Sequence, residues 1–208
     1  MHTKQLYVEG MQNQAFRAAL PGDAYALAEL AITAGDGMYE FLLQEMAPKE
    51  MLAGLMARSI KQGNGGLSWR NCFVAVDQGV VIGMINAFPA EWLHEEEQDI
   101  LPQDRVQVLG PIDQAQDWES FLVNGVAVQA SHRRQGIGNR LIEWSVEQAR
   151  VRRFSRMTST VWEDNVAARS LFERQKFRVQ TRIEVDRHPE LSHTGGSLLM
   201  VRDDLTFG

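Results

Sequence analysis

Cysteine is nearly absent from this chain: Cys72 is the only one among 208 residues. A lone cysteine excludes an internal disulfide, and no Cys or His stands at ligand spacing around it to make a metal site. It lies in the apolar run N-C-F-V-A-V, residues 71–76, where a buried small hydrophobe is the expected role. Long apolar runs are missing as well. None approaches the about 18 residues of a membrane span, and the opening M-H-T-K-Q-L-Y-V-E-G lacks the apolar core of a signal peptide. The expected location is therefore the cytoplasm, with no membrane partner. Positive charge is in deficit, 21 Lys and Arg against 27 Asp and Glu for a net −6. That balance argues against a nucleic-acid partner, whose binding depends on neutralising phosphates. One basic cluster, Arg150, Arg152, Arg153 and Arg156, runs against it and reads as favourable charge at a helix C-terminus. His94 beside Glu95, Glu96 and Glu97 has no second histidine at ligand spacing, so no metal is expected.

What is present is an ordinary globular composition, 44% hydrophobic and 23% charged, at a length that suits a single domain over 15–208 after a short extension over 1–14. A strand is expected over 15–20, stopped by Pro21-Gly22, with Asp23 capping a helix to about residue 34. A helical region over 39–62 is interrupted near Pro48. Strands over 72–76 and 80–88 flank the turn Asp77-Gln78-Gly79 as a hairpin. Residues 89–118 read as polar and irregular, with prolines at 102 and 111. Strands then follow over 121–128, 157–162, 177–186 and 197–203, with helices over 136–153 and 165–175. The mixture, with an early hairpin and a late strand-helix-strand unit, predicts an α+β fold with a mixed sheet and no second domain or repeat.

The most informative stretch is V-A-V-Q-A-S-H-R-R-Q-G-I-G-N-R-L, residues 126–141, an apolar strand entering a glycine-rich turn that opens a helix. A helix start carries unpartnered amides and a partial positive charge, so it receives phosphate well. Gly136 and Gly138 remove side chains that would hold a pyrophosphate away, and Arg133, Arg134 and Arg140 add positive charge. Ile137, Leu141, Ile142, Ser145, Val146 and Ala149 follow helical spacing, so a packed helix stands behind the turn. The turn fits neither G-x-x-x-x-G-K-[ST] nor the dinucleotide signature, for it lacks the third glycine and the downstream acid.

R-x-x-G-x-G, filled by Arg133, Gly136 and Gly138 shortly after V-A-V, resembles the coenzyme-A motif of the GNAT N-acetyltransferase superfamily. The segment V-W-E-D-N-V-A-A-R-S-L-F-E-R-Q-K-F, residues 161–177, is similar to that family's next motif through Asn165, Ala168, Phe172 and Phe177. Residues 16–30 resemble its first strand and helix. The resemblance implies an acetyl-CoA-dependent N-acetyltransferase acting by direct transfer in a ternary complex. It implies two parallel strands, here 121–128 and 157–162, that splay so that pantetheine pairs with an exposed edge. Val126, Ala127 and Val128 would then offer backbone groups to pantetheine, and an amide near Val128 would polarise the acetyl carbonyl. Arg133 would flank the pyrophosphate, with Arg134, Gln135, Gly136, Ile137, Gly138 and Asn139 cradling it, and Asn165 would reach the coenzyme from the second helix.

The match weakens at the catalytic side chains. Where some relatives carry a Glu base five residues before the Asn, this chain has Thr160, and where many carry a thiolate-protonating Tyr seven residues after it, this chain has Phe172. Neither can do that work. Glu119, Glu163, Asp164 and Glu40 are the acidic alternatives. Asn124, a polar residue in an apolar strand, is the group expected to orient the acceptor or a water, and proximity with a water relay is a further route. Asn124 and Glu119 are the catalytic candidates adopted. His132 stands beside the turn, while His188 and His193 flank the loop between the last two strands. Residues 89–118 carry Glu91, Glu95, Glu96, Glu97, Asp99, Asp104, Asp113 and Asp117 against Arg105 alone, a field that would draw a cationic amine. The reading is thus an N-acetyltransferase for a small-molecule primary amine. Its rivals are a protein N-terminal or lysine acetyltransferase and a non-catalytic acyl-CoA sensor. A homodimer is compatible with all three.

Overall fold

A computed structural model describes residues 14–43, 45–95 and 101–205, with the side chains of His94 and Glu95 outside that description. The extension expected over 1–14 thus lies almost wholly outside the described residues, as do Glu96, Glu97 and Asp99 of the acidic run. The chain order is β1 (Gln14–Ala18), α1 (Ala24–Gly35), α2 (Met38–Leu43), α3 (Lys49–Gln62), β2 (Cys72–Asp77), β3 (Val80–Pro89), α4 (Gln103–Gln114), β4 (Phe121–Val128), α5 (Ile137–Val151), β5 (Met157–Trp162), α6 (Val166–Arg174), β6 (Arg178–Ile183) and β7 (Ser197–Arg202). The strands form one mixed seven-stranded sheet in the order β1-β2-β3-β4-β5-β7-β6.

Alternation along the strands sends apolar side chains to both faces of this sheet. Leu27, Ala31, Met56 and Ile60 of α1 and α3 cover one face with Val74, Val76 and Met84. Leu141, Ile142 and Val146 of α5 and Phe172 of α6 cover the other with Ile85, Val123 and Met157. The expected hairpin closes tightly: Gln78 and Gly79 both take positive φ, at 49° and 84°, the backbone that a two-residue turn between twisted strands requires.

One joint in the sheet is incomplete. β4 and β5 run parallel and pair only at Phe121 with Met157 and Leu122 with Thr158. Beyond those pairs they diverge, each still held on its outer side, β4 by β3 and β5 by β7. The hydroxyl of Ser159 donates to the carbonyl of Val123 at 2.9 Å, a side chain taking over where the ladder stops. The β3–β4 pairing also shifts here: Asn86 faces Gly125 and Ala87 faces Val123, which leaves Asn124 as the extra residue of a β-bulge.

Two expectations need correction. Asp23 precedes α1 but does not cap it with its side chain. Its carboxylate instead accepts the Leu20 amide at 2.7 Å and pairs with Arg17 at 2.6 Å, closing the 3-10 turn Pro21–Asp23. Residues 89–118 are not irregular throughout. A 3-10 segment, Ala90–Glu95, leads toward α4, which carries Pro111 in its last turn. An interior proline removes a helical hydrogen bond and disfavours the residue before it, so Gly110-Pro111 masks the helix in the sequence. Tertiary contacts override it. Val108, Leu109 and Ile112 pack with Phe41, Trp162 and Leu191, and Arg105, buried to 3% exposure, anchors the helix. The Arg105 guanidinium donates to the Phe41 carbonyl and pairs with Glu190 at 2.5 Å and with Glu45 at 3.4 Å. It also lies over the Phe41 ring, 5.0 Å from its centroid.

Arg105 therefore ties α4 to α2 and to the loop before β7. Arg105→Met should lower stability by about 1–3 kcal/mol, the usual range for stranding a buried hydrogen-bonded carbonyl, because Glu190 and Glu45 are exposed enough to regain water. A urea titration should show a lower midpoint at an unchanged slope. Cys72 offers a second check. Its burial pushes the thiol up to about 12, and only the thiolate is nucleophilic. Iodoacetamide at neutral pH should leave the native protein unmodified and label it once urea unfolds it.

Candidate active site

The divergence of β4 and β5 opens a cavity of about 320 Å3. Asn124, Gly125 and Val126 of β4 form one wall, and Ser159, Thr160 and Trp162 of β5 the other. Asn165, Ala168 and Phe172 bring α6 to the cavity, and Gly35, Met38, Leu42 and Leu109 bring α1, α2 and α4 to it. Past the fork the inward edge of β4 has no neighbouring strand, and an open strand edge presents unpaired backbone groups to whatever enters.

The other end of β4 leads through a 3-10 turn, Ala130–His132, into the start of α5. Arg134 and Gly136 both take left-handed backbone, at φ 64° and 81°. Gly136 is the cap residue of α5, no side chain caps that end, and the Arg140 amide is the one that reaches back to its carbonyl. The first-turn amides of Ile137, Gly138 and Asn139 are therefore the helix's unspent donors. A Cβ built on Gly136 would meet nothing within 4 Å, so it is the left-handed backbone and not crowding that favours glycine there. Gly138 has a different reason to be small: its Cβ would stand 3.3 Å from Leu171, at the contact of α5 with α6. Arg133 donates to the Val128 carbonyl at 3.0 Å, tying the turn to the strand end. Gln135 accepts from Gln14 at 3.0 Å, and Arg140 lies over the Phe16 ring at 3.9 Å. Asn139 keeps a buried side-chain oxygen without a hydrogen-bond partner.

The residues expected to hold a coenzyme thus lie along one continuous path. Val126 lines the cavity, Val128 is half-buried, and Ala127 turns its side chain to the opposite face, into the α1–α3 layer. Asn165 is at the cavity wall, but its amide is committed: Oδ1 accepts the Ala168 amide at 2.9 Å as a helix cap, and Nδ2 donates to Asp36 at 2.8 Å.

The two catalytic candidates separate. Asn124 lines the cavity at the fork and its Nδ2 donates to Asn86 Oδ1 at 2.9 Å. Asn86 is fully buried, and its own Nδ2 donates to the carbonyls of Gly66 and Asn71. That fixes which end of Asn86 meets Asn124, and leaves Asn124 Oδ1 as an acceptor at the cavity. Glu119 is exposed and is not among the cavity-lining residues. Glu163 pairs with Arg182 at 2.8 Å, and Asp164 with His193 at 2.6 Å. Glu40 holds a buried, unpartnered carboxylate oxygen away from the lining. Thr160 and Phe172 both line the cavity, Phe172 edge-on to Phe177 with ring centroids 5.1 Å apart. His132 lies 3.4 Å from Asp77, and His188 packs against Phe41. His193 stacks on Trp162 with centroids 4.6 Å apart and meets the Asp36 carbonyl at 2.6 Å, bracing the rim. Arg156 pairs with Asp117 at 2.8 Å, which accounts for one member of the basic cluster and one of the acids of 89–118.

Sequence reasoning missed several of these groups. Asn86 carries the same signal as Asn124, a polar residue inside an apolar strand, and could have been found by it. Asp113 and Gln116 reach the cavity only because α4 forms, and the Gly110-Pro111 pair concealed that helix. Asp113 is exposed although it lines the cavity, and partial desolvation there raises its carboxyl from its ordinary value. Among the described residues no cluster of His, Cys, Asp and Glu could hold a metal ion, and no helix is long and apolar enough to cross a membrane.

Known proteins share this architecture. An N-acetyltransferase from Staphylococcus aureus Mu50 superposes with a TM-score of 0.68 at 20% identity, over 89% of this chain and 99% of that one. A polyamine N-acetyltransferase from Drosophila melanogaster, described as forming N-acetylagmatine, gives 0.65 at 14% identity over 92% and 100%. The ribosomal-protein-S18-alanine N-acetyltransferase from Escherichia coli gives 0.57 at 14% identity over 94% and 96%. No curated protein matches the chain in sequence. The profile described as Acetyltransferase (GNAT) family matches residues 57–177, from α3 through the fork and the glycine-rich turn to the end of α6. Carrying that profile over more than half of its length on this fold, the chain belongs to the GNAT acetyltransferase family.

Proposed function

We propose that this protein is an acetyl-CoA-dependent N-acetyltransferase that acetylates a primary amine of a small molecule by direct transfer. The observation that carries the reading is the fork between β4 and β5, an open strand edge leading from a cavity to an uncapped helix start. Acetyl-CoA supplies an activated thioester. The open edge over Val126, Ala127 and Val128 would hold its pantetheine arm as a further strand. The amides of Ile137, Gly138 and Asn139 would take the pyrophosphate, with Arg133, Arg134 and Gln135 at its flanks. The open space before Gly136 fits such a group, because any side chain there would occupy it.

The chain's own polar groups then divide the remaining work. Asn86 orients Asn124 so that Oδ1 accepts an N–H of the incoming amine and aims its lone pair along the cavity. Thr160 lies on the facing wall. Glu119, outside the lining, would act only through water, and water takes the proton that the amine releases. The apolar wall around Phe172 keeps bulk solvent from the transfer point.

Coenzyme A should raise Tm by several degrees, since ligand at 100 times Kd stabilises by about 2.7 kcal/mol. Gly136→Asp should abolish that rise by placing a carboxylate where the pyrophosphate sits. Asp tolerates left-handed backbone better than most residues, so the variant's own Tm reports whether it is folded. Unchanged stabilisation of a folded variant would contradict the site. Release of free thiol from acetyl-CoA that depends on added amine separates an enzyme from a sensor. Binding without any such release would favour the sensor.

A further inference from the structure

We infer that His193 is held as an imidazolium and in that form positions Trp162 at the cavity wall, so that coenzyme binding weakens as rising pH removes the proton. The link to coenzyme rests on the reading of β4 as its docking edge. Both ring nitrogens are engaged: Nε2 meets the Asp36 carbonyl and Nδ1 meets Asp164 Oδ1, each at 2.6 Å. A carbonyl oxygen only accepts, so Nε2 carries a hydrogen. A neutral ring with its hydrogen there would set the Nδ1 lone pair against a carboxylate. A second hydrogen, on Nδ1, turns that conflict into an ion pair. The side chain is 10% exposed, and among the described residues the charged groups facing it are the carboxylates of Asp164 and, at 3.4 Å, of Asp36. Glu163, beside Asp164, is paired with Arg182 at 2.8 Å. The same guanidinium donates to the carbonyl of Gly195, in the His193 loop.

This charge bears on the cavity through Trp162. The His193 ring lies flat on the indole, with centroids 4.6 Å apart and planes 13° from parallel. A cation over an indole face is attracted by the negative charge of that face, which a neutral ring is not. Trp162 lines the cavity, and its Nε1 donates to the Gly35 carbonyl at 3.4 Å. Asp36 also accepts from Asn165, the cap of α6 and itself a lining residue. The loop is seated where Gly37 lacks a side chain, for a Cβ there would stand 2.5 Å from Ser192 Oγ. One proton thus joins the end of α1, the turn between β5 and α6, and the loop before β7. Val126 lines the same cavity from β4, at the edge that would take the pantetheine arm. Without the proton the β5 wall loses its clamp, and bound coenzyme must restore the order that the clamp had supplied.

Nitrogen-15 NMR of the full chain reads the ring directly, with the His193 signals identified by their loss in His193→Gln. Both ring nitrogens should carry hydrogen at about pH 6. Calorimetric titration with coenzyme A, from about pH 5.5 to about pH 9.5, then gives Kd for the parent and two variants. At the acid end His193→Gln should bind about fivefold more weakly than the parent, from the lost ion pair and ring charge together. That ratio should fall to about one as the ring loses its proton, and taking a ratio cancels the ionisation of coenzyme A itself. Asp164→Asn should hold the clamp without the extra proton, because an amide donates to a neutral Nδ1. It should therefore bind more tightly than the parent at the alkaline end. A ring with one hydrogen at the acid end, a ratio constant across the range, or an Asp164→Asn profile that follows the parent's each overturns the inference and leaves the docking edge standing. Failure of the parent to bind coenzyme A at any pH overturns the docking edge and this inference with it.

Discussion

A backbone N–H or C=O shut away from water needs a partner, and the parting of β4 from β5 leaves a row of them without a strand to meet. The rest of the molecule is arranged around that gap. Both strands are fixed on their outer sides by antiparallel neighbours along most of their length, so the gap cannot close by simple zippering. Ser159 ends the shared ladder with its hydroxyl on the Val123 carbonyl. The bulge at Asn124 then bends β4 and turns a polar side chain toward the opening. An extended ligand is the natural complement of such an edge, and the helix start that follows β4 offers amides and positive charge to an anionic end of the same ligand.

The sides of the gap are braced by polar contacts as well as by packing. Trp162 Nε1 donates to the Gly35 carbonyl at 3.4 Å, and Asn165 reaches Asp36, so the end of α1 is linked to β5 and to the cap of α6. His193 adds the loop before β7 to the same joint through Asp164 and Asp36. Buried and fully satisfied, Asn86 links the loop at Gly66 to the bulge. These contacts hold walls drawn from separate parts of the chain at a fixed spacing, which transfer between two bound molecules requires.

Much of this architecture is legible in the amino-acid sequence. The apolar runs of β4 and β5 announce buried strands, and both spans agree with the structure residue for residue. The glycine-rich turn before α5 is legible because its signals are local: two glycines, three arginines and a helical stripe gathered at one strand-to-helix junction. Asn124 stands out by its polarity in an apolar strand. What escapes depends on distant contacts. α4 is held by Arg105 and by Phe41, Trp162 and Leu191, and those three partners reach it only through the fold, so Gly110-Pro111 reads as a break. Asp113 consequently reads as one surface acid among several. The same non-locality separates Glu119 from Asn124: they stand on the two sides of Phe121 in sequence, yet one faces solvent and the other faces the cavity.

Amide hydrogen exchange with and without coenzyme A tests the central claim most directly, that the fork and the start of α5 form one coenzyme track. Slowed exchange should appear together over residues 125–128 and 136–140, with Gly136→Asp losing both. Protection that arises elsewhere, or over one of these stretches while the other exchanges as in the free protein, would contradict it.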